Sequence, residues 1–224
     1  MLIEKYMTAN PKTIGKNISA VRAYELMKKH GVRRFPVVSN GEIIGIITDS
    51  DLRSAGPSQV ISFDEAERKL FPDLYDLLKR ITAEEIMERD VISIGPDQSV
   101  VKAAETMLKN RVSGLPVLDS QKRLVGIITE SDIFKVLVDF SGINTGKITL
   151  GFRLEDSPGA IQKVVDIIRE NDGRVAGIFV LYPEDDQGYR HVYIRLKDFA
   201  PEKLEKLKNA VKAEFAIIGV IDDS

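Results

Sequence analysis

The chain has 224 residues, 43% of them hydrophobic, which is enough to bury a sizeable core in one or two domains. Its 32 basic and 34 acidic residues give a formal net charge of −2, so the overall basic charge typical of nucleic-acid-binding proteins is excluded. The lack of cysteine excludes disulfides and thiolate chemistry, and the apolar stretches are shorter than the ~20 residues of a membrane-spanning helix. We expect a cytoplasmic protein, without a secretion signal, that folds by packing alone.

Two copies of one unit make up the first part of the chain. Phe35-Pro36-Val37 reappears as Leu115-Pro116-Val117 at an offset of 80 residues. After a one-residue difference in a turn, residues 45–51 lie over residues 126–132 at an offset of 81. Because single units of this size rarely cover their apolar faces alone, we expect the copies to pack on each other around a pseudo-twofold axis.

Each copy contains a predicted amphipathic helix before its hairpin. In the first copy the helix starts near Ser19 and ends at Gly31, because glycine tolerates the left-handed conformation common at helix C-termini. In the second copy Ser99 is the predicted N-cap. The apolar residues that follow it recur at the spacing of one helix face: Val100, Ala103, Ala104, Met107 and Leu108.

A hairpin and a second helix complete each copy. In the first copy, strands over residues 34–38 and 42–48 flank Asn40-Gly41, which supplies the positive φ angles of a tight turn. Both strands are almost entirely apolar, so we expect both of their faces to be covered. A helix then begins after the last strand residue, Thr48 or Thr129, and gives each copy the order β-α-β-β-α.

Residues 61–80 form the predicted connection between the copies. Their apolar residues recur at helical spacing, so we expect a helical linker packed on the pair, with a kink at Pro72. A mobile connector is the alternative interpretation. The apolar positions are Phe63, Ala66, Leu70, Leu74, Leu77 and Leu78.

The pattern changes over residues 142–146, where we place a domain boundary. From Ile148 to Leu154 apolar residues alternate with polar or small ones, as in a strand with one buried face. A helix, two strands, a helix from Pro201 and a last strand follow, and this βαββαβ order is that of the ferredoxin-like fold. The predicted domains of this α/β (α+β) chain are residues 1–60 and 81–141 for the repeats, 61–80 for the linker and 146–224 for the C-terminal domain.

The repeated motifs resemble those of the cystathionine-β-synthase (CBS) domain. The resemblance is strongest over residues 43–51 and 124–132, together with residues 33–37 and 113–117, and it extends from residue 1 to about 140. It implies a tandem CBS pair that binds an adenine nucleotide (AMP, ADP or ATP) or S-adenosylmethionine as a regulatory ligand. No catalytic cofactor is implied.

A Thr-x-x-Asp turn at the entrance of the second helix is the predicted ribose-phosphate site of each copy. Thr48 and Thr129 precede unpaired backbone N–H groups, which favour a phosphate, while Asp51 and Asp132 can accept hydrogen bonds from both ribose hydroxyls. The alternative is that both aspartates only stabilise the helix dipole, by about 0.3–1 kcal/mol. The resemblance assigns the adenine slot to Thr13, Ile14, Val32 and Phe35, and to Ser93, Ile94, Val112 and Leu115. The rest of the predicted nucleotide-binding set is Arg33, Arg34, Pro36 and Ser50 in the first copy and Ser113, Gly114, Pro116 and Ser131 in the second.

The copies differ in charge next to this turn. Arg33-Arg34 of the first copy correspond to Ser113-Gly114 of the second. We therefore expect a polyphosphate to find its strongest cationic partners beside the first copy. Ion pairs of the two arginines with carboxylates across a dimer surface are the alternative.

The C-terminal part resembles an ACT domain at its first strand-helix turn. This resemblance implies an amino-acid effector site, with Asp156 as the cap of the helix. The alternative is an ordinary strand-to-helix turn that needs no ligand. The order CBS-CBS-ACT is similar to that of bacterial acetoin-utilisation (AcuB-type) proteins. The residues of the predicted effector site are Asp156, Ser157, Pro158, Gly159, Ala160 and Ile161.

An enzyme is the main competing interpretation. Asp49 and Asp51 after an apolar strand are typical of phosphotransferases in which the first aspartate is the nucleophile. The second copy has Glu130 at the first position, which favours ligand contact over a nucleophile. His30 and His191 lie on different elements and predict neither a metal site nor a nucleophile-base pair.

We therefore expect a non-catalytic allosteric sensor. Both resembled families associate through their own surfaces, which favours a homodimer, and a regulated partner enzyme is the bolder expectation. Neither a membrane nor a nucleic acid is an expected partner. A structural or interaction module without a ligand is the remaining alternative.

Overall fold

The first repeat folds as helices packed on short strands in the computed structural model, which describes residues 1–55 and 72–223. The first helix starts after Ser19, whose hydroxyl accepts a hydrogen bond from the backbone N–H of Arg22, and ends at Gly31 with a φ of 64°. Both ends agree with the sequence prediction. The elements are β1 (Thr8–Ala9), β2 (Ile14–Gly15), α1 (Ala20–His30), β3 (Arg34–Ser39), β4 (Glu42–Thr48) and α2 (Asp49–Ser54).

The second repeat has the same succession of helix, hairpin and helix. Ser99 accepts a hydrogen bond from the backbone N–H of Lys102, as its predicted role as N-cap requires. Residues 61–71 of the predicted linker lie outside the described residues, and the described part of it, from Pro72, is helical. The elements are α3 (Pro72–Arg80), α4 (Ala83–Ile86), α5 (Val100–Asn110), β5 (Gly114–Leu118), β6 (Leu124–Thr129) and α6 (Glu130–Phe140).

The two repeats are joined by an exchange of short segments. Strand β1 pairs antiparallel with β6 of the second repeat, Ala9 lying opposite Gly126. In return, Glu88 exchanges two backbone hydrogen bonds of 2.9 Å with Ile46 in β4. Each sheet is therefore extended by a segment that precedes the other repeat, so neither repeat is complete without its neighbour.

The glycines repeated in β4 and β6 make this exchange possible. A Cβ atom on Gly45 would overlap the Sδ of Met87, and one on Gly126 would overlap the Sδ of Met7. Met87 is buried in the core of the first repeat. The repeated glycine is thus explained by close packing between segments rather than by a special backbone angle.

Gly45→Ala is expected to destabilise the protein by about 1–3 kcal/mol, because an added methyl group has to displace the side chain of Met87 in a packed core. The matched control is Gly15→Ala, since a Cβ atom on Gly15 has no neighbour within 4 Å. Urea denaturation followed by circular dichroism measures both. Equal midpoints for the two variants would contradict the packing role of Gly45.

The C-terminal elements form one four-stranded antiparallel sheet, in the order β10-β7-β9-β8, with two helices. The βαββαβ order confirms the predicted ferredoxin-like fold. Fully buried side chains from the sheet and both helices form its core, among them Phe152, Ile168 and Leu207. The elements are β7 (Ile148–Glu155), α7 (Ala160–Glu170), β8 (Arg174–Leu181), β9 (Tyr189–Lys197), α8 (Leu204–Lys212) and β10 (Ala216–Asp222).

The chain divides into two compact units, Met1–Ile133 and Phe134–Ser224, which we call the repeat pair and the C-terminal unit. Their boundary falls within α6 rather than in the loop over residues 142–146. Across residues 1–55 and 72–223, no helix combines the length and the apolar character needed to cross a membrane.

Candidate functional site

The turn between β4 and α2 holds the first Thr-x-x-Asp motif. Asp51 Oδ2 accepts hydrogen bonds of 2.7 Å from both the backbone N–H and the hydroxyl of Thr48. The hydroxyl of Thr48 in turn accepts one of 3.3 Å from the backbone N–H of Asp51. This reciprocal arrangement is a capping box, which satisfies two otherwise unpaired groups at the helix start. Within the described part of the chain, the second carboxylate oxygen of Asp51 accepts no hydrogen bond.

The turn between β6 and α6 repeats this geometry. Asp132 Oδ2 accepts hydrogen bonds of 3.0 Å from the backbone N–H of Thr129 and 2.7 Å from its hydroxyl. Both motifs are half-buried and lie at the end of an apolar strand. The repeat pair thus holds two carboxylates of equivalent position at two helix entrances.

A capping box elsewhere in the chain shows that these hydrogen bonds do not by themselves identify a ligand site. Glu85 Oε2 accepts hydrogen bonds of 2.7 Å from both the backbone N–H and the hydroxyl of Thr82, at the start of α4. The backbone and hydroxyl of Thr82 lower the pKa of this carboxyl. Because α4 does not follow an apolar strand, the box by itself is a helix cap. Position at the strand ends distinguishes the turns at Thr48 and Thr129.

Arg34 reaches from the first repeat to the second. Its Nη2 donates a hydrogen bond of 2.6 Å to the hydroxyl of Ser113, and a Cβ atom on Gly114 would overlap its guanidinium. Strand pairing places Arg34 opposite Thr48, and Gly114 opposite Thr129. The guanidinium therefore lies between the two Thr-x-x-Asp turns.

This position modifies the expectation that both arginines stand beside the first copy. The missing side chain of Gly114 leaves room for the guanidinium of Arg34 on the second repeat. Burial lowers the pKa of Arg34, and the nearby carboxylate of Glu130 opposes this shift. Arg33 remains exposed beside the first repeat.

The residues of the predicted adenine slots divide into core and rim. Phe35 is 1% exposed and Leu115 is fully buried, so both pack in the core. Ile14 and Ile94 are also buried and pair with the strands at Val37 and Val117. The slot members with exposed surface for a ligand are Thr13, Val32 and Ser93, and Val112 is half-buried. Of the remaining predicted set, Ser50, Ser113 and Ser131 are exposed.

In the C-terminal unit, the predicted effector turn lines a cavity of about 570 Å³. The N-cap of α7 is Gly159, with a φ of 84° and no capping side chain. The prediction that Asp156 caps this helix is therefore wrong, because the left-handed Gly159 starts the helix three residues later. Asp156 instead forms an ion pair of 3.3 Å with Arg190. The lining residues are Asp156, Ser157, Pro158, Gly159, Ile161, Gln162 and Arg190.

Sequence reasoning missed Arg190. This residue lies in β9 opposite Leu154, and its Nη2 donates a hydrogen bond of 3.0 Å to the backbone carbonyl of Ser157. Its side chain is 14% exposed. Its position depends on the pairing of β7 with β9, which joins segments far apart in the chain and which no local sequence pattern indicates.

The histidines lie in polar surroundings and far apart in the chain. Lys12 Nζ lies 2.7 Å from His30 Nδ1, and His191 lies 3.1 Å from Asp186, which Arg153 binds through two nitrogens. The described ranges contain no group of three or more histidine, aspartate or glutamate side chains placed to hold a metal ion.

Comparisons with known proteins match the repeated units. The family model described as the CBS domain matches residues 3–58 and 83–139, which together make up half of the chain. Protein MJ1225 of Methanocaldococcus jannaschii is 35% identical over 136 residues, which are 60% of this chain and 46% of that protein. A homoserine O-acetyltransferase of Methanococcoides burtonii is 33% identical over 132 residues, 58% of this chain and 23% of the enzyme. The chain thus spans less than half the length of these two relatives.

Two solved structures are similar to this chain. The acetoin utilization protein AcuB from Vibrio cholerae is 26% identical with a TM-score of 0.51, over 64% of this chain and 95% of that one. The CBS domain pair of protein MJ0100, solved in complex with 5′-methylthioadenosine and S-adenosyl-L-methionine, is 31% identical with a TM-score of 0.49. The latter likeness covers 62% of this chain and 97% of that one.

Proposed function

This chain belongs to the CBS-domain family, and from that premise we propose that it is a non-catalytic sensor whose repeat pair binds an adenosine ligand. One observation carries the proposal: a Thr-x-x-Asp turn stands twice at the end of an apolar strand, with the guanidinium of Arg34 between the two turns. A carboxylate there can accept hydrogen bonds from both hydroxyls of a ribose, and the backbone N–H groups at a helix start favour a phosphate.

The proposed ligand is an adenine nucleotide or a related adenosyl compound such as S-adenosylmethionine. The free carboxylate oxygen of Asp51 supports ribose recognition, since it requires no rearrangement of the helix cap. Arg34 supports a phosphate, because a guanidinium can donate two parallel hydrogen bonds to one. A single arginine stands where a symmetric pair would have two, so we propose that the two turns bind ligands of different phosphate content.

The second candidate is a phosphotransferase that uses Asp49 as the nucleophile. The ion pair of 2.6 Å between Asp49 and Arg53 argues against it, because this cation stabilises the carboxylate without aiming it at a substrate. Glu130 in the second repeat argues in the same direction. Relatives with enzyme names match this chain over less than a quarter of their length, which supports a regulatory role for the shared part.

Calorimetry on the full chain tests the proposal with adenosine, AMP, ATP and S-adenosylmethionine. We expect saturable binding of at least one of them, and chromatography of the recovered ligand should show it unchanged. No heat with any of the four would refute the binding proposal. A chemically altered product would refute the non-catalytic role.

The C-terminal unit is the proposed second input. Its effector cavity presents the guanidinium of Arg190 beside the carboxylate of Asp156, and such a pair suits the carboxylate and ammonium groups of an amino acid. Nucleotide binding would shift the arrangement of the repeats, and the two ligands would be coupled if each favours the same arrangement. The proposed assembly is a homodimer that regulates a partner enzyme or a pathway such as acetoin utilisation.

Arg190→Gln is expected to lower the affinity for a bound amino acid by at least tenfold, because a hydrogen bond to a charged group contributes about 1.5–3 kcal/mol. Arg174→Gln is the matched control, since Arg174 pairs with Asp198 at 3.4 Å outside the cavity. Titration of the full chain with the common amino acids, followed by calorimetry, measures the effect. Equal affinities of both variants for the same amino acid would exclude Arg190 from the site.

A further inference from the structure

A second cleft in the repeat pair lies away from both Thr-x-x-Asp turns. Its volume is about 770 Å³, and its walls are the first hairpin turn (41–44), parts of the segment 89–95 and the second hairpin turn (118–123). Strand β4 has seven residues, with Thr48 at one end and Glu42 at the other. At about 3.3 Å per residue, the cleft wall at Glu42 lies roughly 20 Å from Thr48. The cleft is therefore separate from the turns proposed to bind ribose and phosphate.

Two cations and one carboxylate remain in the lining of this cleft once the ion pair between Asp119 and Arg123 is set aside. Asp119 is already bound, since it accepts hydrogen bonds from the Nε of Arg123 at 2.8 Å and from two backbone N–H groups at 2.9 Å. These contacts, with the side chain of Arg123 first, lower the pKa of Asp119. Arg89 donates to the backbone carbonyl of Glu84 at 2.9 Å, and it forms no ion pair with a carboxylate within residues 1–55 and 72–223.

Lys122 is the second cation without a carboxylate partner among the described residues. It lines the same cleft as Arg89 but belongs to a different segment, and its side chain is exposed. Glu42 is the remaining acidic residue of the lining. Two cations without a carboxylate partner among the described residues thus line two walls of the cleft, and one carboxylate lines the third.

The backbone presents Lys122 at a conformational cost. Its φ is 60°, in the left-handed region that disfavours residues with a side chain. The N–H of Lys122 donates to the carbonyl of Asp119 at 2.9 Å, and the N–H of Asp119 donates to the carbonyl of Arg123 at 3.0 Å. The first repeat turns with Asn40-Gly41 instead. Glycine would be relaxed at this position, so Lys122 occupies the cleft wall at a conformational cost.

We propose that this cleft binds a small anion with at least two negative charges, either a phosphate ester or a di- or tricarboxylate. Arg89 and Lys122 donate to it from different segments of the lining, and Glu42 favours an anion that also carries a hydroxyl or another donor. The cleft borders Ser93 and Ile94, at the rim of the second adenine slot. An anion held by Arg89 and Lys122 stabilises one position of the segment that carries Ser93 and Ile94 and so modulates nucleotide binding.

Calorimetry on the full chain at low ionic strength tests the proposal, with pyrophosphate and citrate as probes. We expect at least one probe to bind with or without saturating AMP. Lys122→Gln should weaken this binding at least fivefold, whereas Lys109→Gln, an exposed lysine of the same repeat, should leave it within twofold. Lys122→Gly should weaken binding equally and leave the melting temperature equal or higher, because glycine relieves the positive φ. A merely structural role of Lys122 would not combine these two results.

The two probes separate the sources of the anion, since binding of pyrophosphate alone assigns phosphate esters and binding of citrate alone assigns carboxylates. Failure of both probes would overturn the proposal, as would equal losses in the variants of Lys122 and Lys109. Loss of the probe heat in the presence of AMP would overturn it too, because the anion would then occupy the nucleotide site. Failure of AMP alone to bind would instead count against the proposed function and leave the anion cleft standing.

Discussion

Replacing Asp51 and Asp132 together by asparagine is expected to lower the affinity for AMP about 100-fold. Each carboxylate is proposed to accept hydrogen bonds from two ribose hydroxyls, and a hydrogen bond to a charged group contributes about 1.5–3 kcal/mol. The one amide oxygen of asparagine is occupied by the two hydrogen bonds of the helix cap, so no acceptor oxygen remains for the ribose hydroxyls and a loss near 2.7 kcal/mol follows. Calorimetry with AMP measures the change. The oxygen of asparagine can also accept from Thr48 or Thr129, so the helix caps should persist.

Glu85→Gln is the matched control for this double variant. It alters a capping box of the same geometry at Thr82, but away from the strand ends. We expect its AMP affinity to equal that of the unmodified protein. If the double variant also kept its affinity and changed only in thermal stability, Asp51 and Asp132 would be helix caps and nothing more.

Arg34→Ala is expected to weaken ATP binding about 10- to 100-fold while changing adenosine binding little. Its guanidinium lies between the two turns and is the cation placed to donate to a phosphate from either side. The expected loss corresponds to about 1.5–3 kcal/mol for one charge-assisted contact. Parallel titrations with ATP and adenosine measure the difference.

Arg33→Ala serves as the comparison, because Arg33 is adjacent in sequence but exposed. We expect a loss of ATP affinity of the same sign and smaller size, since solvent screens exposed charges. Equal losses for ATP and adenosine in the Arg34 variant would show that this residue supports the fold of the pair rather than a phosphate.

The local structure of the repeats could be predicted because its causes lie close together in sequence. Ser19 and Ser99 start helices as N-caps, and Asn40 and Gly41 adopt the positive φ angles of the hairpin turn. The ferredoxin-like order of the C-terminal unit follows from its alternating patterns in the same way. The sequence shows Gly45 as part of a repeated motif, but it does not show that Met87 packs too closely there for a side chain.

Contacts between distant segments could not be predicted. The pairing of Glu88 with Ile46 and the reach of Arg34 to Ser113 depend on how the repeats pack, which no local pattern encodes. The prediction that Asp156 caps the helix is wrong for a local reason, since Gly159, with its left-handed backbone, occupies the N-cap position. Arg190 was missed because strand pairing alone brings it to the effector turn.

The sequence also could not separate a helix cap from a ligand site at the Thr-x-x-Asp turns. The same three-residue spacing places a carboxylate on the threonine backbone N–H and hydroxyl at Thr82 and at both repeated turns. A carboxylate that caps its helix through one oxygen still has a second oxygen for a ligand. Only the surroundings of the turn, such as the nearby Arg34, favour one role over the other.

A crystal structure of the full chain grown with saturating AMP tests the central claim most directly. We predict unaltered AMP beside at least one of the two Thr-x-x-Asp turns, with a carboxylate oxygen of Asp51 or Asp132 within about 3 Å of the ribose hydroxyls. AMP bound elsewhere, or no AMP beside either Thr-x-x-Asp turn at that concentration, would contradict the claim.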